Sequence, residues 1–279
     1  MKKIKLDIIT NKISKYIAEL ILNADGKTQI TFEDDTTFEG LMQNKEFIGT
    51  VRFDFFNGDH FVGEIKFGKC HGKGKYTWSN GSYYEGDFYE DQLHGNGTIL
   101  LSDGTKYSGS FKSDQITGYG VVTYPSGDIY EGYLENFLFH GHGKYYHLGG
   151  DVFEGEFVKH KKNGLGEYKT KTGDCYKGNY QNGLYSGQGK MVWADGSWYE
   201  GSFKNGKRNG YGEMHNDDGT VRKGNYVDDK LHGKGSVIWP DGTFYEGDFK
   251  NDKIDGFGTY IQPDGEKYIG KFKDGKIAK

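Results

Sequence analysis

"YYEGDFYEDQLHGNGTILLSDG" fills residues 83–104 and carries four glycines, Gly86, Gly95, Gly97 and Gly104. Glycine weakens helices and strands alike, so this density needs a reason. The stretch recurs. An aromatic-x-Gly triplet starts at Phe38 and returns every 23 residues as far as Tyr268, in eleven copies without insertion or deletion. Its glycine stands in all eleven, from Gly40 to Gly270, and a Gly-x-Gly pair follows in nine, from Gly72/Gly74 to Gly256/Gly258. A fixed period of this length is the signature of a repeat architecture in which each unit mainly touches its neighbours.

Inside one repeat the residues alternate. Tyr84, Gly86 and Phe88 share one side of a strand, and Glu85 and Asp87 take the other. Period two of this kind reads as a half-buried strand. Gly95, Gly97, Ile99 and Leu101 predict a second strand in the same way. Asn80-Gly81, Asp103-Gly104, Asp195-Gly196 and Asp241-Gly242 are residues for a two-residue primed hairpin turn. The other connection, "YEDQL", is expected to close a looser hairpin of about five residues. Short connections throughout predict antiparallel neighbours. The glycines on the aromatic side then have a purpose. They leave bare backbone on which a ring from the adjacent strand can lie. The expected fold is all-β: an elongated, single-layer antiparallel β-meander solenoid over residues 26–279. Strand spacing alone makes it a ribbon on the order of 100 Å long.

Residues 1–25 differ. Ile13, Tyr16, Ile17, Leu20 and Ile21 fall at helical spacing, and Asn23 to Gly26 supply a stop. A short N-terminal helix is expected there, as a cap on the first strand, a helix for a partner or a mate in a homodimer, or an interfacial anchor.

Three complete copies, "YYEGDFYEDQLHGNG", "WYEGSFKNGKRNGYG" and "FYEGDFKNDKIDGFG", resemble the MORN repeat, whose pattern is Tyr-x-Gly-x-(aromatic), a short polar loop and Gly-x-Gly. The resemblance runs from about Gly26 to Lys276. Arg222 in place of the aromatic, Asp35 in place of a turn glycine and Val51 in place of the second Gly-x-Gly glycine depart from it. It implies an elongated antiparallel sheet used in protein assembly, in cytoskeletal or ciliary (axonemal) structures and sometimes at membranes.

Composition narrows the function. The 279 residues carry a net charge of −4, 34% hydrophobic residues and 16% aromatic ones. There is no strong electrostatic lure for nucleic acid or for an anionic membrane. Cys70 and Cys175 stand in different repeats, which suits a reducing compartment better than a disulfide scaffold. From "MKKIKLDIIT", which Asp7 interrupts, neither a signal peptide nor a membrane span is expected. His71, His94, His140 and His232 recur at one position, but repeats roughly 9.6 Å apart cannot share a metal held by bonds of about 2 Å. Gly-x-Gly here lacks the third glycine and the helix of a dinucleotide fingerprint. The glutamate row from Glu39 to Glu246 reads as a solvated face with cross-strand ion pairs. No nucleophile-base set stands out, so neither enzyme, metal nor cofactor is expected.

What remains is binding. A single layer has one aromatic face with nothing of its own to cover all of it. An exposed stripe is expected through Trp78, Tyr84, Phe88, Tyr130, Trp193, Tyr199, Trp239 and Tyr245, taking an amphipathic partner helix. Phe137 and Phe139 are expected in an apolar loop tip that needs a partner, and "KHKKNG" (159–164) is the one compact basic cluster. The leading expectation is a non-catalytic scaffold. The alternatives are a peripheral adaptor for acidic phospholipid and a regulatory subunit of an enzyme on another chain.

Overall fold

The computed structural model describes Tyr16, residues 26–44 and residues 46–278. Among these it forms twenty-three strands. From Thr37–Gln43 to Lys267–Lys273, strands of seven residues alternate with strands of nine. The chain divides into two compact units, Met1–Gly141 and His142–Lys279. In the first unit each strand from Gly26–Thr31 to Ile129–Glu135 pairs antiparallel with its neighbour in sequence. In the second the same holds from Val152–Val158 to Lys276–Ile277. Each unit is therefore an antiparallel meander, as the repeat predicts.

The two turn types are the reverse of the sequence expectation. Tyr89 faces Gln92, so only Glu90 and Asp91 lie between the strands. Both have positive φ, 48° and 69°, the geometry of the two-residue primed turn. At the other end Leu100 faces Lys106. The Leu101 N–H donates to Thr105 O and the Gly104 N–H to Leu101 O, each at 2.9 Å. Gly104 has φ 85°. That is a three-residue loop built on an ordinary turn and closed by a left-handed glycine. The aspartate before that glycine has its own task, since Asp103 Oδ1 accepts the Thr105 N–H at 2.8 Å. What hid the tight turn is a bulge. Gly86 faces Gly97 but Phe88 faces Leu93, which leaves Gly95 and Asn96 over in the nine-residue strand. Gly95 takes φ 56° at that point.

The facing glycines carry the rings. A Cβ on Gly97 would stand 2.5 Å from Tyr84 Cε2, and one on Gly86 2.5 Å from Gly97 Cα. Tyr84 thus lies flat across a cross-strand glycine pair, as expected. Its hydroxyl donates to the Asp87 carbonyl beside the bulge at 2.7 Å. Tyr107, Tyr130, Tyr176, Tyr199 and Tyr245 donate to the carbonyl three residues on, at 2.7–3.2 Å. Where Arg222 replaces the ring, the Leu231 side chain comes to Gly224 and Gly235 instead. Repeats are also stitched through their turns. The Asp91 N–H donates to Cys70 O at 3.0 Å, and its carboxylate accepts the Cys70 N–H at 2.7 Å.

Of residues 11–23 only Tyr16 is described, so the helix expected there lies outside the described residues. Tyr16 is buried, its ring centroid 4.7 Å from that of Phe32, and its hydroxyl donates to Asp34. At this residue the N-terminal segment packs on the chain's own first strands.

Candidate functional site

The aromatic face is not an open groove. Tyr84, Tyr130, Tyr199 and Tyr245 are 0% exposed, Phe88 3% and Phe139 5%. Tyr84 shows the cause. Its ring meets Phe88 of its own repeat edge-on at 5.1 Å and Phe111 of the next at 5.0 Å. Rings laid flat on glycine pack against one another, so the chain covers them itself. This corrects the expected exposed stripe and with it the partner helix in an aromatic groove. Trp78, Trp193 and Trp239 are half-buried, each opening a three-residue loop. The apolar loop tip is corrected too. Phe137 is half-buried in a two-residue turn at φ 66°, and Phe139 turns inward to stack on Tyr130 at 3.7 Å. Burial pushes the Tyr199 hydroxyl up to about 12, so it stays protonated near neutral pH.

The opposite face holds what the sequence reading missed. In the second unit Cys175 faces Val192, which faces Trp198, then His215, Val221, Ile238, Phe244 and Ile261, one position per strand. Val152 joins the row through Lys169. All of these side chains are half-buried or exposed, with Ile238 at 43%. Trp198 stacks on His215 at 3.9 Å. The row crosses the strands, so its members are spaced by about 4.8 Å. No single strand displays it, because it alternates between the residue before each ring and the last residue of each nine-residue strand.

A charged row runs beside it. Lys177 faces Lys190, then Glu200, Glu213 and Lys223. Lys190 pairs with Glu200, and Lys223 with Glu213, each at 3.1 Å. These are the cross-strand ion pairs expected of the glutamate row. Leu165, Glu167, Cys175, Lys177, Gln188 and Val192 help to line a concavity of about 540 Å³ on this face. A smaller one of about 310 Å³, bounded by Leu41, Val62, Glu39 and Arg52 among others, occupies the same face of the first unit. The face is thus apolar, charged and indented, while the ring face is filled.

Among the described residues, no group of three or more His, Cys, Asp or Glu converges as metal ligands, and no helix is long and apolar enough to cross a membrane. Cys70 and Cys175 are free thiols; burial pushes both up, Cys70 strongly. The basic cluster at 159–164 is broken up by the fold. Lys159 and His160 form a turn and Lys161 is exposed, but Lys162 folds inward over the Phe153 and Tyr168 rings at 4.6 and 4.0 Å.

A family model described as MORN repeat matches residues 61–83, 84–106, 107–129, 153–175, 176–198, 199–221, 223–244 and 245–267. Those eight segments cover about two thirds of the chain; the copies starting at Phe38, Tyr130 and Tyr268 fall outside them. No curated protein matches the chain. Among solved structures, the TCP domain of SAS-4 (dCPAP) of Drosophila melanogaster, in complex with a proline-rich motif of Ana2 (dSTIL), is 15% identical. That match covers 63% of this chain and 90% of the other, with a TM-score of 0.35. The TCP10 domain of Danio rerio CPAP with a STIL peptide is 15% identical over 90% of this chain and 97% of that one, at a TM-score of 0.25. At such scores these likenesses carry no weight for fold or function.

Proposed function

The chain belongs to the MORN-repeat family, and we propose that it is a non-catalytic protein-interaction scaffold whose partners lie against the mixed face of its sheet rather than against its rings. One observation carries this reading: a cross-strand row of mostly apolar side chains, Cys175 to Ile261 with His215 among them, left half-exposed beside a charged row. Contiguous exposed apolar surface rimmed by polar groups marks interaction sites. Equivalent positions recur every two strands, roughly 9.6 Å, so within a unit the face offers the same footing at fixed intervals, as a scaffold requires. The partner this surface fits has an apolar strip bordered by charges of both signs. Assignment to a cytoskeletal or axonemal assembly rests on the family resemblance. The adaptor for acidic lipid has less support, since the fold turns Lys162 of the basic cluster inward.

The test is native co-purification of the full chain and two variants, read by mass spectrometry. Trp198→Asp with Ile238→Asp alters the mixed face at half-exposed positions and is expected to lose the partner while still melting cooperatively well above the assay temperature, below the wild type by the lost stacking of Trp198 on His215. Lys161→Glu, at the basic cluster, is expected to keep it. Retention by the mixed-face variant would remove the basis of the proposal.

A further inference from the structure

The charges of the mixed face come in doublets. Across successive strands of the second unit the charged row reads Glu154, Glu167, Lys177, Lys190, Glu200 and Glu213, and then Lys223 and the uncharged Ser236. The sign changes at every second strand, so the pattern repeats over four strands, roughly 19 Å. Ion pairs within the chain do not call for this order. Strict alternation would give every charge an opposite neighbour, whereas doublets set Lys177 beside Lys190 and Glu200 beside Glu213, which is unfavourable across strands. What doublets provide is a match between the row and its own reverse. A second copy can be turned over about a two-fold axis that runs along the strands, between Leu184–Val192 and Trp198–Lys204. Lys190 then faces Glu200 of the second copy, Lys177 its Glu213 and Glu167 its Lys223. Each contact occurs twice, as a two-fold requires. Glu154 meets Ser236, and no like charges of the row meet. Moving the axis by one strand either way would bring Lys177 onto Lys190 or Glu200 onto Glu213.

We infer that the mixed face of the second unit is a homodimer surface, on which two copies pack face to face as the aligned sheets of a sandwich. The mostly apolar row obeys the same axis. Trp198 meets Val192 of the second copy, His215 meets Cys175 and Ile238 meets Val152. Lys169 meets Val221, and its ammonium is already paired with Glu167 at 3.0 Å. Shape agrees with charge. Asn179 and Val192 line the concavity of about 540 Å³. Asn179 and Tyr211 each lie one residue from a facing glycine, Gly178 and Gly212, so they stand level across the strands. The axis therefore sets Tyr211, 63% exposed, over Asn179, and Trp198 over Val192, so that two raised rings of one copy enter the hollow of the other. Eight strands about 4.8 Å apart and seven residues long at about 3.3 Å each present about 900 Å² per copy, the size of a standard specific interface at about 800 Å² per partner. The inference rests on the mixed face being the binding face and names a second copy as its occupant. Half-exposed ion pairs contribute little each, so the dimer opens on dilution.

The experiment follows the mass of the purified full chain by sedimentation velocity over a dilution series, for the wild type, Lys177→Glu and Glu213→Lys. The wild type is expected to pass from dimer to monomer on dilution. Either variant alone sets two like-charge pairs across the axis and is expected to weaken the dimer about tenfold or more. Mixed one to one, the two variants meet as a heterodimer in which each altered position faces an opposite charge, and wild-type strength is expected to return. A variant that merely folds badly is not rescued by mixing. A chain that stays monomeric up to about 0.1 mM, variants that dimerise as tightly as the wild type, or a mixture no tighter than either variant alone would each overturn the inference. Each of these failures leaves the co-purification test standing, since its partner is another protein.

Discussion

Gly86→Ala tests the packing that organises every repeat. The new Cβ would stand 2.5 Å from Gly97 Cα, 2.6 Å from Asn96 O and 2.6 Å from Tyr84 Oη. Two of those atoms are backbone in the paired strand and cannot swing aside, so the strands must part or the ring must leave. Overpacking costs about 1–3 kcal/mol, and the displaced Tyr84 hydroxyl loses a bond worth about 1 kcal/mol. A loss of about 2–4 kcal/mol is expected, although alanine is a better strand residue than glycine. The control is Glu85→Ala one position away. Its side chain points to the mixed face, and its ion pair with Lys75 at 3.0 Å is exposed on both sides, worth at most about 1 kcal/mol. The assay is thermal unfolding of both variants with hydrogen exchange, because a repeat array opens locally. Lost protection should centre on the strands Tyr83–Tyr89 and Gln92–Leu100. Equal stability of the two variants would refute the claim that glycine is there to seat the ring.

Tyr180→Phe and Tyr226→Phe each remove a buried hydroxyl that has no partner among the described residues, at a position where other repeats carry Phe88, Phe111 or Phe203. Each should be neutral or stabilising by up to about 1 kcal/mol, and a clear loss of melting temperature in both would contradict this. Asp252 sits at φ 69° and accepts the Leu231 N–H at 2.8 Å. Asp252→Ala should cost about 1 kcal/mol more than Asp252→Gly, because only alanine adds left-handed strain; equal costs would refute the strain argument. Lys234 at 2.7 Å, with the Phe257 N–H, holds the Asp248 carboxyl below the usual range. A depressed folded value stabilises above the unfolded value, near pH 4, and the gain is lost as pH falls through the folded one. Asp248→Asn should therefore trail the wild type in thermal melts at pH 6 and converge with it at pH 2–3. A gap that persists in acid would exclude this linkage.

Much of the fold was legible because the period is rigid. Tyr84, Gly86 and Phe88 show their strand by alternation alone, and the facing glycines announce a ring. Turn lengths were not legible, because the bulge at Gly95 and Asn96 moves the register and makes a two-residue turn look like five. Which face stays open was not legible either. Alternation separates the faces, but whether a ring is exposed depends on its lying flat against glycine and meeting Phe111 of the next repeat edge-on. The mostly apolar row of the mixed face escaped notice because its members come from two positions in the repeat and differ chemically, Cys175, Trp198 and Phe244 from one and Val192, His215 and Ile238 from the other. Lys162 was read as part of a basic loop, since its inward turn is fixed by strand parity and not by the charge run around it.

In a one-layer sheet the backbone amides belong to both faces, so only side chains reveal which side a partner covers. Hydroxyl-radical footprinting of the full chain, free and with a co-purifying protein, reads them directly. Trp198, Ile238 and Phe244 should lose reactivity in the complex, while the ring-face residues Tyr199 and Tyr245, buried at the start, should not change. Protection confined to Trp78, Trp193 and Trp239, with Trp198, Ile238 and Phe244 as reactive as in the free chain, would contradict the account.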